Sequence, residues 1–182
     1  MGSMMTCLED LSQTTRSLLS WLSALVAAMA VLMLTTGSAP AQSLSRGVSA
    51  LDRQDYQRAS RIFIPLAEHG NPSAQAYLGF LFETGRGVPQ NYTEAAMWYR
   101  RAAEQGDSVA QYSLGLLYDR GQGVPRDIVE AGKWLNLSTA AAPPKAREAR
   151  QRIRDAVTSK MSRGEVAQSR QRALEWAPTR EH

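Results

Sequence analysis

Residues 74–98 read AQAYLGFLFETGRGVPQNYTEAAMW, and residues 110–134 read AQYSLGLLYDRGQGVPRDIVEAGKW. The second segment repeats the first after 36 positions, with identical residue types at twelve aligned positions. A repeat of about 20 to 50 residues is typical of solenoids, because each unit is too small to bury its own apolar face and stacks on its neighbours. The sequence therefore predicts a stacked repeat protein.

Each repeat carries the signals of two helices. In the first repeat, Asn71 followed by proline forms a helix start, and apolar residues then recur at three- and four-residue spacing. Gly85 and Gly87 supply positive φ angles that end this helix. A second amphipathic pattern with its own capping signal follows. We therefore predict helix pairs in residues 71–106 and 107–142.

The joint pattern AQxxLGxLxxxGxGVP followed by AxxW resembles the Sel-one-like repeats (SLR), relatives of the tetratricopeptide repeat. The resemblance implies an all-α fold, a short right-handed α-solenoid of antiparallel helix pairs. It also implies a concave surface lined by the first helix of each pair. Members of this family mostly act as adaptors or scaffolds for other proteins, and exported bacterial members have similar C-terminal segments.

Two flanking segments complete the predicted architecture. Residues 42–70 align with the second half of a repeat but lack the GxGVP turn, so they predict a tetratricopeptide-like N-terminal helix pair. Residues 143–177 predict two capping helices, which cover the last apolar face of a solenoid. The buried side of the first helix is predicted to consist of Ala146, Ala149, Ile153 and Val157. The second helix is predicted to be anchored by Val166, Leu174 and Trp176. We expect residues 178–182 to form a disordered tail.

The N-terminal segment has the pattern of a secretory signal. The run Leu18 to Leu34 is almost wholly apolar, and small residues precede Ala41. This pattern predicts a signal peptide over residues 1–41 with cleavage after Ala41, and a periplasmic or secreted protein in a Gram-negative type of export. The alternative is an uncleaved anchor in the inner membrane, with the repeats facing the periplasm. The single cysteine, Cys7, lies before the cut, so the mature chain has no disulfide.

Basic residues outnumber acidic ones only in the C-terminal segment. Residues 145–182 contain ten basic and five acidic residues, whereas residues 42–144 contain ten of each. A basic segment is able to contact nucleic acid or an anionic membrane. Positively and negatively charged residues alternate here as on a solvated helix face, and an exported protein seldom meets nucleic acid. We therefore predict no nucleic-acid binding, and membrane association only if the apolar segment is retained.

The sequence offers little for catalysis. His69 lies at a helix end, where a positive charge is favoured, and His182 lies at the terminus. Glu83 and Asp119 occupy the same position in the two repeats, and the alternative interpretation is a catalytic carboxylate pair. Carboxylates at turns are, however, typical of solvated surface. We predict no enzyme activity, no metal and no cofactor. A cell-wall-active enzyme is the rival, although this chain lacks the paired cysteines of the cysteine-rich SLR relatives linked to that activity.

The predicted function is binding of a partner protein or peptide on the concave face, by a non-catalytic adaptor or scaffold of the cell envelope. A membrane-anchored assembly or regulatory factor is the alternative. Trp98 and Trp134 are assigned to the core, with an aromatic stacking site as the alternative. The candidate partner-binding residues differ between the repeats and lie on the first helices, where aromatic and aliphatic residues edged by arginine are typical of interaction surfaces: Ala76, Phe80, Glu83, Tyr112, Leu116, Asp119 and Arg120.

Overall fold

The computed structural model describes residues 39–179, with side chains from residue 42 onward. The chain divides into two units, Met1–Gln42 and Ser43–His182, and both repeats lie wholly in the second unit. All regular structure in residues 39–179 is helical: α1 Ala39–Asp52, α2 Tyr56–Glu68, α3 Pro72–Thr84, α4 Tyr92–Glu104, α5 Ser108–Arg120, α6 Ile128–Ala140, α7 Pro144–Thr158 and α8 Arg163–Glu175. The all-α prediction is confirmed. The apolar run of the predicted signal peptide lies outside the described residues, as do residues 180–182.

Helices α1 to α6 form three consecutive pairs, α1/α2, α3/α4 and α5/α6, stacked in chain order. Within each pair a glycine of the first helix meets a large side chain of the second. A Cβ atom placed on Gly79 would lie 2.7 Å from Tyr99 Cδ1, and one on Gly115 would lie 2.9 Å from Leu135 Cγ. Gly47 makes the same approach to a ring on α2. The helices of a pair therefore touch at positions where only glycine leaves room.

Successive pairs are joined by a buried glutamine. Gln75 Nε2 donates to the carbonyl oxygen of Ala67 at 3.1 Å, and Gln111 Nε2 donates to that of Ala103 at 3.2 Å. Both acceptors lie in the last turn of the preceding helix, and each also accepts from the backbone N–H of the glycine just beyond it, Gly70 or Gly106. The repeated AQ dipeptide thus adds a second hydrogen bond at this helix end and fixes the stacking of one pair on the next.

The GxGVP turn also connects neighbouring pairs. Gly85 ends α3 in the left-handed conformation, with φ 69°. Gly87 also has positive φ, 71°, and a Cβ atom there would lie 2.3 Å from the carbonyl oxygen of Tyr56 on α2. In the next repeat, Gly123 approaches the carbonyl oxygen of Tyr92 in the same way. The second glycine of each turn is therefore required twice, for its backbone angle and for close packing on the previous pair.

The C-terminal helices α7 and α8 both pack on α6. The predicted buried side of α7 was wrong in part, because Ala149 is exposed and Ile153 is 36% exposed, whereas Arg150 and Val157 are buried. An arginine takes an inward position here because its apolar stem packs while its guanidinium finds acceptors. The prediction that Leu174 anchors α8 was also wrong, because 82% of the surface of this residue is exposed.

The chain beyond α8 returns to the repeats. Trp176 meets Trp134 edge to face, with ring centroids 6.3 Å apart. The backbone N–H of Thr179 donates to the carbonyl oxygen of Glu104 at 2.8 Å. Pro178 and Thr179 are exposed, and this backbone bond joins Thr179 to the end of α4. No helix within residues 39–179 is long and apolar enough to cross a membrane.

Candidate interaction groove

An open groove of about 440 Å³ runs along the first helices α1, α3 and α5. Its walls are mainly apolar and aromatic, with Tyr56, Tyr77 and Phe80 along the open part and the buried Tyr99 beneath them. Four charged residues complete the lining: Asp52, Glu83, Arg86 and Asp107. A concave, mostly apolar surface with a few polar groups is typical of a binding site.

The aromatic lining is held by stacking and by one arginine. Tyr77 stacks on Phe63 of α2, with ring centroids 4.9 Å apart and an interplanar angle of 16°. Arg86, from the GxGVP turn, places its guanidinium 5.1 Å from the ring centroid of Tyr56 and 5.7 Å from that of Phe80. Its Nη1 also donates to the Tyr56 hydroxyl at 3.2 Å. One guanidinium therefore joins rings from two helix pairs.

The acidic residues have different surroundings. Glu83 Oε2 accepts a hydrogen bond from the Tyr99 hydroxyl at 2.7 Å. Burial, and then the negative charge of Glu83, raise the pKa of Tyr99, so the phenol remains a neutral donor. Asp107 caps α5 by accepting from the N–H groups of Val109 and Ala110. Asp52 is exposed at the end of α1. Glu83 and Asp52 therefore present negative charge along the groove.

The structure brings three of the predicted partner-binding residues together in this groove, namely Ala76, Phe80 and Glu83. Ala76 is itself 8% exposed, so it shapes the floor more than it offers surface. Sequence reasoning missed Tyr56, Tyr77 and Arg86. Tyr56 lies on α2 and Arg86 lies in the GxGVP turn, so neither was among the first-helix positions that were compared. Tyr77 lies on α3 but was not selected there. The available signal was that Arg86 replaces the glutamine found at the same place in the next turn.

The predicted residues of the second repeat have other surroundings. The Arg150 guanidinium of α7 lies 5.7 Å from the ring centroid of Tyr112. Lys160 Nζ lies 2.7 Å from Asp119 Oδ2. Leu116 is half-buried, and Arg120 is exposed at the end of α5. The C-terminal segment thus contacts the first-helix face of the second repeat at Tyr112 and Asp119.

The polar residues considered for chemistry have structural partners. Glu83 and Asp119 bond to Tyr99 and Lys160 respectively, so each has its own contact. His69 caps α2, and its Nδ1 lies 2.6 Å from the carbonyl oxygen of Pro65. Among residues 39–179, no group of three or more histidine, cysteine, aspartate or glutamate residues is placed to hold a metal ion. Trp98 and Trp134 are buried, as the core assignment predicts.

The stacked pairs and their spacing agree with comparisons to known proteins. The family model described as Sel1 repeat matches residues 72–107 and 108–142. The chain contains two Sel1 repeats. Sel1 repeats typically serve as protein–protein interaction scaffolds and are generally non-enzymatic. No curated protein sequence matches this chain significantly.

The solved structures that share its fold include two with related repeats. One is a protective antigen present in uropathogenic Escherichia coli strains that displays an SLR fold, with 27% identity and a TM-score of 0.69 over 75% of this chain. The other is a Sel1 repeat protein from Oxalobacter formigenes, with 28% identity and a TM-score of 0.58 over 74% of this chain. This chain spans 29% of the first structure and 54% of the second. The predicted SLR solenoid is confirmed.

Proposed function

We propose that this protein is a non-catalytic adaptor of the cell envelope that binds a partner protein or peptide in the groove of its first helices. The observation that carries the proposal is the aromatic lining of an open groove, at Tyr56, Tyr77 and Phe80. Aromatic side chains dominate the energy of protein interfaces, because they bury large areas at a low cost in side-chain entropy. A groove of about 440 Å³ accommodates a few side chains of a peptide.

Site-specific photocrosslinking in the native cells tests this proposal. A photoreactive phenylalanine analogue replaces Phe80 in the groove, and in the control it replaces Met97, which is 42% exposed on α4 outside the groove. We expect a discrete crosslinked protein from position 80 and none from position 97. The same partner should be lost from affinity capture when Tyr77 is changed to alanine. Equal crosslinking at both positions, or none at position 80, would contradict the proposal.

The envelope location is part of the proposal and rests on the apolar run of residues 18–34 and the small residues before Ala41. N-terminal sequencing of the protein from its cells tests it. A chain that starts at Gln42 supports the exported adaptor. A chain that retains residues 18–34 supports the membrane-anchored assembly or regulatory factor, with the same groove facing the periplasm. A chain that retains these residues and fractionates with the cytoplasm contradicts both.

A further inference from the structure

We infer that the groove takes a basic segment of a partner protein, in which lysine or arginine side chains stand beside apolar ones. This inference rests on the proposed function and adds the chemistry of the partner. The groove contains three carboxylates and one guanidinium, so its lining is net negative at neutral pH. Complementary charge across an interface steers association and selects the partner.

The negative charge that remains for a partner comes from two residues. Asp107 is engaged with the N-terminus of α5, which offsets its charge. Glu83 accepts one hydrogen bond through a single carboxylate oxygen, and Asp52 is exposed at the other side of the groove. A basic side chain that approaches the groove therefore meets carboxylates on α1 and α3.

The aromatic lining already holds a cation. The guanidinium of Arg86 lies over the rings of Tyr56 and Phe80 in the protein alone. Aromatic ring faces carry partial negative charge and attract cations, with arginine the most frequent partner. The rings of this groove are therefore suited to the apolar stem of a partner lysine or arginine, whose charged end reaches the carboxylates of Glu83 and Asp52.

The second repeat contains a direct precedent for such an occupant. Helix α7, which packs on α6, contains five basic and two acidic residues, and basic side chains of the C-terminal segment reach the first helix of the second repeat. Arg150 lies over the Tyr112 ring, and Lys160 meets both oxygens of Asp119, at 2.7 and 3.0 Å. Asp119 is the residue that corresponds to Glu83 after 36 positions. The chain thus contacts this face of the second repeat with its own basic side chains at Tyr112 and Asp119, whereas the corresponding Ala76 and Glu83 of the first repeat line the open groove.

Selection of random short peptides displayed on phage tests the inference, with the protein purified from its cells as bait. We expect the enriched peptides to carry net positive charge and at least one aromatic or large aliphatic residue. The Kd of a selected peptide should rise about tenfold in the double variant Asp52→Asn, Glu83→Gln, since each exposed charge pair contributes about two- to fivefold. Glutamine at position 83 still accepts the hydrogen bond from Tyr99, so this variant keeps the fold.

Glu68→Gln is the matched control, because Glu68 is an exposed carboxylate at the end of α2 that does not line the groove. We expect it to leave the Kd unchanged. Enriched peptides that are neutral or acidic, and that are lost with Phe80→Ala, would overturn the inference and leave the proposed function standing. Basic peptides that bind the double variant as tightly as the natural chain would also overturn it. A failure to enrich any peptide would count against the inference and the proposed function together.

Discussion

The two 36-residue repeats have the same internal packing, but the outer faces of their first helices have different surroundings. In both, a glycine on the first helix meets a large side chain on the second, and a buried glutamine bonds to the preceding pair. The face of α3 nevertheless lines an open groove, whereas Arg150 and Lys160 from the C-terminal segment contact α5 at Tyr112 and Asp119. The shared residues therefore build the stack, and the residues that vary, together with the segment after the last repeat, decide which surface is available.

The largest expected effect concerns what the repeats share. Gly87→Ala and Gly123→Ala should each lower the free energy of unfolding by about 2 to 4 kcal/mol, because both positions have positive φ and face a backbone carbonyl group of the previous pair. Urea denaturation followed by circular dichroism measures this. Gly164→Ala is the control, since nothing lies within 4 Å of its Cβ position, and it should be neutral or stabilising. A large loss in only one repeat would break the equivalence of the two turns.

The next effect separates the two arginines that lie over aromatic rings. Arg150 is 9% exposed, and its Nη1 donates to the carbonyl oxygens of Ser108 and Ser138 and to the Ser138 hydroxyl. Arg150→Ala should cost about 2 to 3 kcal/mol of unfolding free energy, because buried acceptors lose a charged donor. Arg86→Ala should cost less than about 1 kcal/mol, since Arg86 is exposed. If urea denaturation showed equal losses of unfolding free energy for the two variants, the proposed difference between the buried Arg150 and the exposed Arg86 would be wrong.

A smaller effect tests a difference at the end of each repeat. Gln105 Nε2 donates to Gln75 Oε1 at 2.8 Å, but the corresponding Gln111 Oε1 has no hydrogen-bond partner among the described residues, because Ala141 replaces the second glutamine. Ala141 and Gln105 have nearly the same backbone angles, φ −86° and ψ 0° against φ −83° and ψ −2°.

Ala141→Gln should therefore raise the free energy of unfolding by about 1 kcal/mol, as one buried acceptor gains a partner. Ala141→Met serves as the control of equal length without a donor. Thermal and urea denaturation of the two variants give the comparison. If methionine stabilises as much as glutamine, the gain comes from filling space, and the proposed difference in hydrogen bonding is wrong.

The smallest effect concerns the exposed ion pair on the second repeat. Lys160 is 49% exposed at its side chain and pairs with Asp119. Lys160→Ala should lower the free energy of unfolding by less than about 1 kcal/mol, since water and salt screen such pairs. The loss should shrink further at high salt. A loss above about 2 kcal/mol would mean that the pair, and not Arg150, holds the C-terminal segment on α5.

Particular residues show where sequence reasoning reached its limit. The caps at Asn71 and Asp107 and the positive φ of Gly85 were predictable, because each depends on the chain within a few residues. The buried side of α7 was not, since its pattern allows either Ala149 or Arg150 to face inward. The choice depends on acceptors at Ser108 and Ser138, far away in the sequence. For the same reason the sequence predicted only part of the groove lining, namely Ala76, Phe80 and Glu83. Tyr56 and Arg86 reach the groove from neighbouring elements.

The sequence by itself determined the helix pairs, their period and their stacking, because the 36-residue pattern repeats local signals for caps, turns and apolar faces. It also determined which residues fill the core, as Trp98 and Trp134 illustrate. Only the tertiary structure decided that one first-helix face is open and the other is contacted by the C-terminal segment. That outcome depends on contacts about 40 positions apart, such as Arg150 with Ser108 and Lys160 with Asp119, and the period of a repeat carries no information about such contacts.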